Sequence, residues 1–236
     1  MKLSPRPARI PSSLSQSTHY LLGSYALAAT AAGVSMLALT QPSAAKVIYT
    51  KTNVDIFSLS YYPLDLNNDG KADFSFLGRW LSTSDCAVGS ALNIAQVRPG
   101  NSVWRATSGA AVLRARVHVG TKAPFSGALT LLMGYAFEPC GFTDFRGPWE
   151  NEGKGVKSRY LGLRFKIKGK NHYGWARLTV PGGLGGLHGA TMTGYAYETV
   201  PNKSIITGKT KGPDVITVQP DAAPGSLGRL ALGRKR

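Results

Sequence analysis

The chain has 236 residues, and its 28 lysines and arginines against 12 aspartates and glutamates give a formal net charge of +16. A protein this basic is attracted to anionic polysaccharides, envelope polymers or nucleic acid. No helix-turn-helix, zinc-finger or RNA-binding motif occurs, which argues against specific nucleic-acid recognition. Neither of the two cysteines has a histidine or second cysteine at ligand spacing, which argues against a zinc site.

Residues 1–45 have the order of a secretory signal peptide with an apolar helix. Three basic residues precede the uncharged run from Tyr20 to Leu39, and the small residues Ser43-Ala44-Ala45 follow. The run is only weakly hydrophobic, so we expect cleavage before Lys46 and no stable membrane span afterwards; an uncleaved anchor is the alternative. Cleavage lowers the net charge from +16 to +13. The mature protein is then expected to be secreted or held at the cell surface.

Residues 65–73 read Asp-Leu-Asn-Asn-Asp-Gly-Lys-Ala-Asp and place oxygen donors at alternate positions. Such a loop can wrap calcium, with Gly70 permitting the turn. The twelfth position of an EF-hand loop would be Phe76 rather than glutamate, and the flanking residues favour strands over helices. We therefore predict a structural calcium loop between two strands; a metal-free Asx turn is the alternative. The predicted ligands are Asp65, Asn67, Asp69, Lys71 through its carbonyl group, and Asp73.

Cys86 and Cys140 both lie in the exported part of the chain. Two cysteines in an oxidising compartment predict one disulfide that closes a long loop. Such a bond contributes on the order of 3–5 kcal/mol to stability by constraining the unfolded chain. Two free buried thiols are the alternative.

The remaining sequence predicts an all-β fold. Short runs of alternating apolar residues with frequent turn signals favour an antiparallel β-sandwich, with a jelly roll as one form and a barrel as the alternative. Residues 46–210 are assigned to this domain and residues 211–236 to a flexible tail. The apolar run 128–137 predicts a central strand buried on both faces. Residues 160–167 and 173–180 predict a hairpin that turns at Gly169-Lys170-Asn171.

The hairpin has two features of interest for binding. Four basic residues should share one face of an extended strand and form a strip that contacts an anionic polysaccharide or envelope polymer; a solvated outer face is the alternative. Tyr173 and Trp175 should share a face opposite Gly174 and fill the sandwich core, with an exposed sugar-stacking platform as the alternative. The residues of the basic strip are Arg164, Lys166, Lys168 and Lys170.

The segment from Glu138 to Glu152 is the best candidate for catalysis. It contains further acids at Asp144 and Glu150, together with aromatic residues such as Trp149. Paired carboxylates and stacking rings are what a glycosidase needs. A surface loop explains the same residues, and no hydrolase or nucleotide-binding motif accompanies them. We expect a non-catalytic domain, with a carbohydrate-binding module or glycan-active enzyme as the alternative.

Three stretches carry a family resemblance: the calcium loop with its Ala72-Asp73-Phe74 end, the Tyr173-Gly174-Trp175 hairpin, and Tyr195-Ala196-Tyr197-Glu198-Thr199. Together they resemble a group of uncharacterised exported bacterial proteins of the PEP-CTERM-associated type. The resemblance covers most of the mature chain and implies an extracytoplasmic β-domain, but no known activity. One departure is the tail from Pro224 to Arg236, whose apolar stretch is too short to span a bilayer.

Overall fold

The computed structural model of the protein describes residues 46–57, 60–84, 87–128, 130–139, 143–182 and 189–219. The predicted signal segment, both cysteines and residues 220–236 of the predicted tail lie outside these ranges. Within the described part of the chain, no helix has the length and hydropathy needed to cross a membrane.

The described residues form an all-β fold, which confirms the predicted class. Valine, tyrosine, threonine and phenylalanine recur along its strands, as expected for pleated, half-buried surfaces. The strands are β1 (Val47–Ile56), β2 (Tyr61–Leu64), β3 (Phe74–Ser84), β4 (Ala87–Gln96), β5 (Ser102–Ala106), β6 (Gly109–Ala110), β7 (His118–Val119), β8 (Phe125–Ser126), β9 (Thr130–Pro139), β10 (Asp144–Arg146), β11 (Val156–Ile167), β12 (Lys170–Val180), β13 (Ala190–Glu198), β14 (Ile205–Ile206) and β15 (Val215–Val218).

Two sheets, antiparallel except for one pairing, build the sandwich. The large sheet has the order β15-β1-β13-β12-β11-β5-β6, with β8 also paired to β5. The small sheet has the order β10-β9-β4-β3-β2, and a separate pair joins β14 to β7. One pairing is parallel, that of β15 with β1.

The main core lies between the two sheets. The small sheet contributes buried side chains such as Phe74, Phe76 and Met133, and the large sheet contributes Leu163 and Leu178 among others. Alternate residues of each strand point into this layer, as the two-residue period of a strand requires. The buried apolar area of this layer is the main source of folding stability.

A second core covers the opposite face of the large sheet. Tyr160, Tyr173 and Trp175 pack there against Leu113 and Val119, which belong to the segment that covers this face. Tyr173 and Trp175 are 2% and 0% exposed, so they share one face and are buried as predicted. They occupy the second core rather than the layer between the sheets, and a sugar-stacking platform at these rings does not exist.

The hairpin of β11 and β12 turns earlier than the sequence predicted. Ile167 pairs with Lys170, and the two intervening residues, Lys168 and Gly169, have φ angles of 49° and 78°. Positive φ at both central residues is the signature of the two-residue turn that matches strand twist. Lys170 therefore lies on β12, and the four basic residues do not share one strand face.

Two further predictions change with the structure. The apolar strand predicted over 128–137 is β9, which is second from the edge of the small sheet. Tyr135 and Phe137 on this strand are half-buried, so it is not buried on both faces. Residues 215–218, which were assigned to the tail, form β15 in the large sheet. The ordered domain thus extends past residue 210.

Candidate metal centre

The predicted calcium loop connects β2 to β3 at one edge of the small sheet. Its two ends are held together where Leu64 pairs with Phe74 and the Asp73 amide donates to the Leu64 carbonyl at 2.9 Å. Leu64, Leu66 and Phe74 are buried in the main core. The loop is therefore anchored at both ends by packing, and residues 68–71 are exposed.

Backbone amides wrap around the first acidic residue of the loop. The Gly70 amide donates to Asp65 Oδ2 at 2.7 Å and the Asp69 amide to Asp65 Oδ1 at 3.2 Å. Gly70 itself has a φ of 81°, a left-handed conformation that glycine adopts without steric cost. A carboxylate can accept about four hydrogen bonds, so Asp65 keeps capacity for a further partner.

Two buried oxygens in this loop have no hydrogen-bond partner among the described residues. They are Asn67 Oδ1 and Asp73 Oδ1. Asp73 is 0% exposed, and its other oxygen, Oδ2, accepts from the Leu66 amide at 3.0 Å. A buried oxygen without a donor costs about 1–3 kcal/mol, and coordination to a cation is one way to offset that cost. Among the described residues, no three histidine, cysteine or acidic side chains are grouped closely enough to hold a metal ion by themselves. The donor set of carboxylates and one amide oxygen fits a hard cation such as calcium.

A guanidinium group lies beside the same carboxylates. Arg98, from the turn after β4, places its nitrogens 3.5 Å from Asp69 Oδ1 and 3.8 Å from Asp73 Oδ1. Arg98 was not among the predicted site residues, because it is separated from the loop along the chain and reaches it through the β3–β4 pairing. Arg98 supplies part of the positive charge that a metal ion would provide.

Burial raises the pKa of the Asp73 carboxyl group to about 6. The hydrogen bond from the Leu66 amide and the charge of Arg98 lower the pKa, but desolvation is the larger effect. The carboxylates of Asp65 and Asp69 raise it further. Near neutral pH the carboxylates of the loop are therefore ionised in a buried site that disfavours their charge. A divalent cation stabilises ionised carboxylates in such a site.

Side chains from other elements hold the loop in place. The Tyr195 hydroxyl of β13 donates to Asn68 Oδ1 at 3.2 Å. The buried Asn101 amide donates to the Asp73 carbonyl at 3.0 Å and its oxygen accepts from the Lys166 amide at 3.1 Å. These contacts tie the loop to the large sheet. Asn68, whose side chain is used in this way, was not among the predicted ligands.

The predicted basic strip divides into two groups. Arg164 is half-buried, donates from Nε to Ser102 Oγ at 2.8 Å and lies over the Phe125 ring at 5.0 Å. Lys166, Lys168 and Lys170 are exposed at the end of the hairpin. The positive charge is therefore clustered at the hairpin tip, although it is not a straight strip.

The acidic segment is arranged around a buried tryptophan. The Trp149 amide donates to the Met133 carbonyl at 3.0 Å, and its indole NH donates to the Ala110 carbonyl at 3.1 Å. Trp149 is 0% exposed, so it links the two sheets and cannot stack on a sugar. Glu138 is half-buried within β9 and Glu152 is exposed at the surface.

Glu150 is the unusual acid of this segment. Its side chain is 2% exposed, Oε2 has no hydrogen-bond partner within the described ranges, and Oε1 lies against the backbone of Gly134. Burial raises the pKa of this carboxyl group to about 7. The group is closely packed by backbone, which favours a structural role over contact with a substrate.

Comparison with protein-family models, with curated proteins and with solved structures gives no match. The resemblance to exported bacterial proteins therefore stays a prediction.

Proposed function

We propose that this chain is an exported, non-catalytic β-sandwich domain that holds one structural calcium ion in the loop 65–73. The domain works at the cell surface or in the extracellular matrix, where its basic surface contacts anionic polymers. The observation that carries the calcium proposal is Asp73, a fully buried carboxylate with one oxygen lacking a hydrogen-bond partner in the described structure.

Four side chains and one carbonyl would hold the ion. The side chains are those of Asp65, Asn67, Asp69 and Asp73, and the carbonyl is that of Lys71. Calcium supplies no chemistry here beyond neutralising the carboxylates and fixing the link between β2 and β3. Because two cations repel at short range, we expect the Arg98 guanidinium to move away from Asp73 when calcium binds.

Export is supported by the sequence order of residues 1–45 and by the calcium loop itself, since extracellular calcium modules bind with dissociation constants of about 10⁻⁴–10⁻³ M. The disulfide between Cys86 and Cys140 belongs to the same proposal. Ala87 and Pro139, the chain neighbours of these cysteines, face each other in the β4–β9 ladder.

Contact with anionic polymer is supported by the net charge and by the exposed lysines at the hairpin tip. The alternative of a glycan-active enzyme has weaker support, because Trp149 and Glu150 are enclosed by protein. The alternative of a carbohydrate-binding module needs exposed aromatic residues other than Tyr173 and Trp175.

Thermal unfolding with and without calcium tests the proposal. Calcium at about 100 times its dissociation constant stabilises a folded protein by about 2.7 kcal/mol, which corresponds to a rise in Tm of about 5–10 °C for a domain of this size. The Asp69→Ala variant should lose this rise. Asp55→Ala, which removes an exposed carboxylate of β1, should keep it. A wild-type Tm that does not change between chelator and excess calcium would contradict the proposal.

A further inference from the structure

Two stretches of the chain cover the second core, and neither contains an acidic residue. Residues 87–137 contain no aspartate or glutamate, and neither do residues 199–213. Pairing of β7 with β14 brings these two stretches together, with Val119 opposite Ile205 and His118 opposite Ile206. The fold thus assembles one basic surface from two distant segments.

Several cations on this surface have no ion-pair partner among the described residues. On this surface, the described residues form two ion pairs, Lys203 with Glu198 and Lys209 with Asp214. Four exposed residues of this basic surface form no ion pair with any described residue. These residues are Arg105, Arg114, Arg116 and Lys122.

A cavity of about 320 Å³ opens in this basic surface. It lies where the two acid-free stretches meet, and its walls include Trp104, His118, Thr121, Lys122 and Ser204. Ligand pockets span about 300–1,000 Å³, so this cavity suits a ligand the size of one sugar ring.

The wall of the cavity is fixed by packing. The Trp104 ring lies against Gly162, where an added Cβ would come within 3.0 Å of Trp104 Cε3. Gly120 lies against Ser204 so closely that a Cβ there would be 2.7 Å from the Ser204 Cβ. Side chains held in this way lose little conformational entropy when a ligand binds.

We infer that this cavity, which we call the Trp104 cavity, binds a carboxylate-bearing sugar unit of an acidic polysaccharide. The indole face of Trp104 packs on the C–H face of the sugar ring. The Lys122 ammonium group pairs with the sugar carboxylate, and the hydroxyls of Thr121 and Ser204 bond to the ring hydroxyls. The inference rests on the proposed function, because it names the anionic polymer and places its main contact away from the hairpin tip.

A series of side-chain contacts links Trp104 to the basic hairpin. The Trp104 ring centroid lies 6.4 Å from that of Phe125, and Arg164 stacks over the same Phe125 ring. A polymer that inserts one unit in the cavity can therefore extend past Arg164 toward Lys166. This path gives the hairpin a secondary role in holding the chain of sugars.

Calorimetric titration of the full chain with a defined ligand tests the inference. The probe is a hexasaccharide that alternates glucuronate with N-acetylglucosamine, and its matched control is the same hexasaccharide with every carboxyl group reduced to an alcohol. Because a charge-assisted hydrogen bond contributes about 1.5–3 kcal/mol, the reduced control should bind about tenfold more weakly or worse. Equal affinity for both would overturn the inference.

Three variants locate the site. Lys122→Glu removes the cation, and Ser204→Leu fills the Trp104 cavity without changing charge; each should weaken binding about tenfold or more. Lys51→Glu makes the same charge change on β1, four strands from β5 and about 19 Å away, and should stay within about threefold of wild type. Equal loss in Lys122→Glu and Lys51→Glu, or wild-type binding by Ser204→Leu, would overturn the inference.

The outcomes also separate this inference from the proposed function. Binding that is lost in Lys168→Glu but kept in Lys122→Glu would place the polymer at the hairpin tip, which overturns the inference and leaves the proposed function intact. Calcium titration of the same preparations reports on the loop independently. Tighter binding of a thymidine oligonucleotide that is lost in Lys122→Glu would overturn the inference in favour of nucleic acid.

Discussion

At the scale of single residues, Asp73 and Glu150 share a physical situation. Each is a carboxyl group with at most 2% exposure and one oxygen without a partner among the described residues. Asp73 has an amide donor, a nearby cation and two acidic neighbours, whereas burial alone accounts for the shift at Glu150. The first arrangement suits a metal ligand and the second suits a packed structural acid.

The pH dependence of stability follows from the raised pKa of Asp73. The folded protein holds this proton up to about pH 6, whereas the unfolded chain loses it near pH 3.8. The contribution of Asp73 to stability in chelator is therefore fully present below about pH 4 and is lost, by up to about 3 kcal/mol, as pH rises through about 6. Asp73→Asn should therefore lose less stability than wild type over this range, by up to that amount. Urea unfolding of both proteins across this range measures the difference, and an Asp73→Asn protein that loses as much stability as wild type would contradict the account.

Glu150 should contribute a second fall in stability at higher pH. Its carboxyl group keeps its proton up to about pH 7 in the folded protein, against 4.5 ordinarily. Deprotonation between these values should cost up to about 3 kcal/mol, so Glu150→Gln should be more stable than wild type at about pH 8. Glu152→Gln, at an exposed position in the same turn, serves as the matched control. A Glu150→Gln protein less stable than that control at about pH 8 would show that the charged carboxylate is needed.

At the scale of elements, the contact between β6 and β9 joins the two sheets. Gly109 has a φ of 145°, and a Cβ there would be 2.1 Å from the Leu132 carbonyl oxygen. Trp149 bonds to both strands across the same contact. Glycine at position 109 is therefore required by both conformation and space.

Alanine substitution tests the β6–β9 contact. Gly109→Ala should cost about 2–4 kcal/mol, because strain and steric conflict add together. Gly169→Ala is the control, since Gly169 has a φ of 78° but no heavy atom near its added Cβ; it should cost only about 1 kcal/mol. Denaturant unfolding gives both values, and equal losses would show that the close approach is not needed for stability.

The elements also show which features sequence patterns could predict. The hairpin of β11 and β12 was predictable from alternating residues, but its turn was placed too late because Lys168 adopts a left-handed conformation that glycine usually marks. The strand β15 was missed because four residues between turn formers carry too short a pattern. Its pairing with β1 is a tertiary effect that overrides local composition.

At the scale of the whole molecule, the all-β class followed from strand periodicity, whereas the second core did not. A sheet buried on both faces needs a cover, and here the cover comes from segments around residues 111–125 and 203–208 that have little regular structure. The loop ligands could be predicted because they are contiguous. Arg98 and the Trp104 cavity could not, because each depends on residues brought together by strand pairing.

The central claim is that the loop 65–73 binds calcium through Asp73. Calorimetric titration of the chelator-treated protein with calcium tests this claim most directly. The titration is carried out at about pH 5.5 and pH 7.5, each in buffers of different ionisation enthalpy. Because metal ligands must be deprotonated and the pKa of Asp73 is about 6, we predict one calcium per chain, with release of most of one proton at the lower pH and little at the higher. No binding up to millimolar calcium, or binding with no proton release at the lower pH, would contradict the claim.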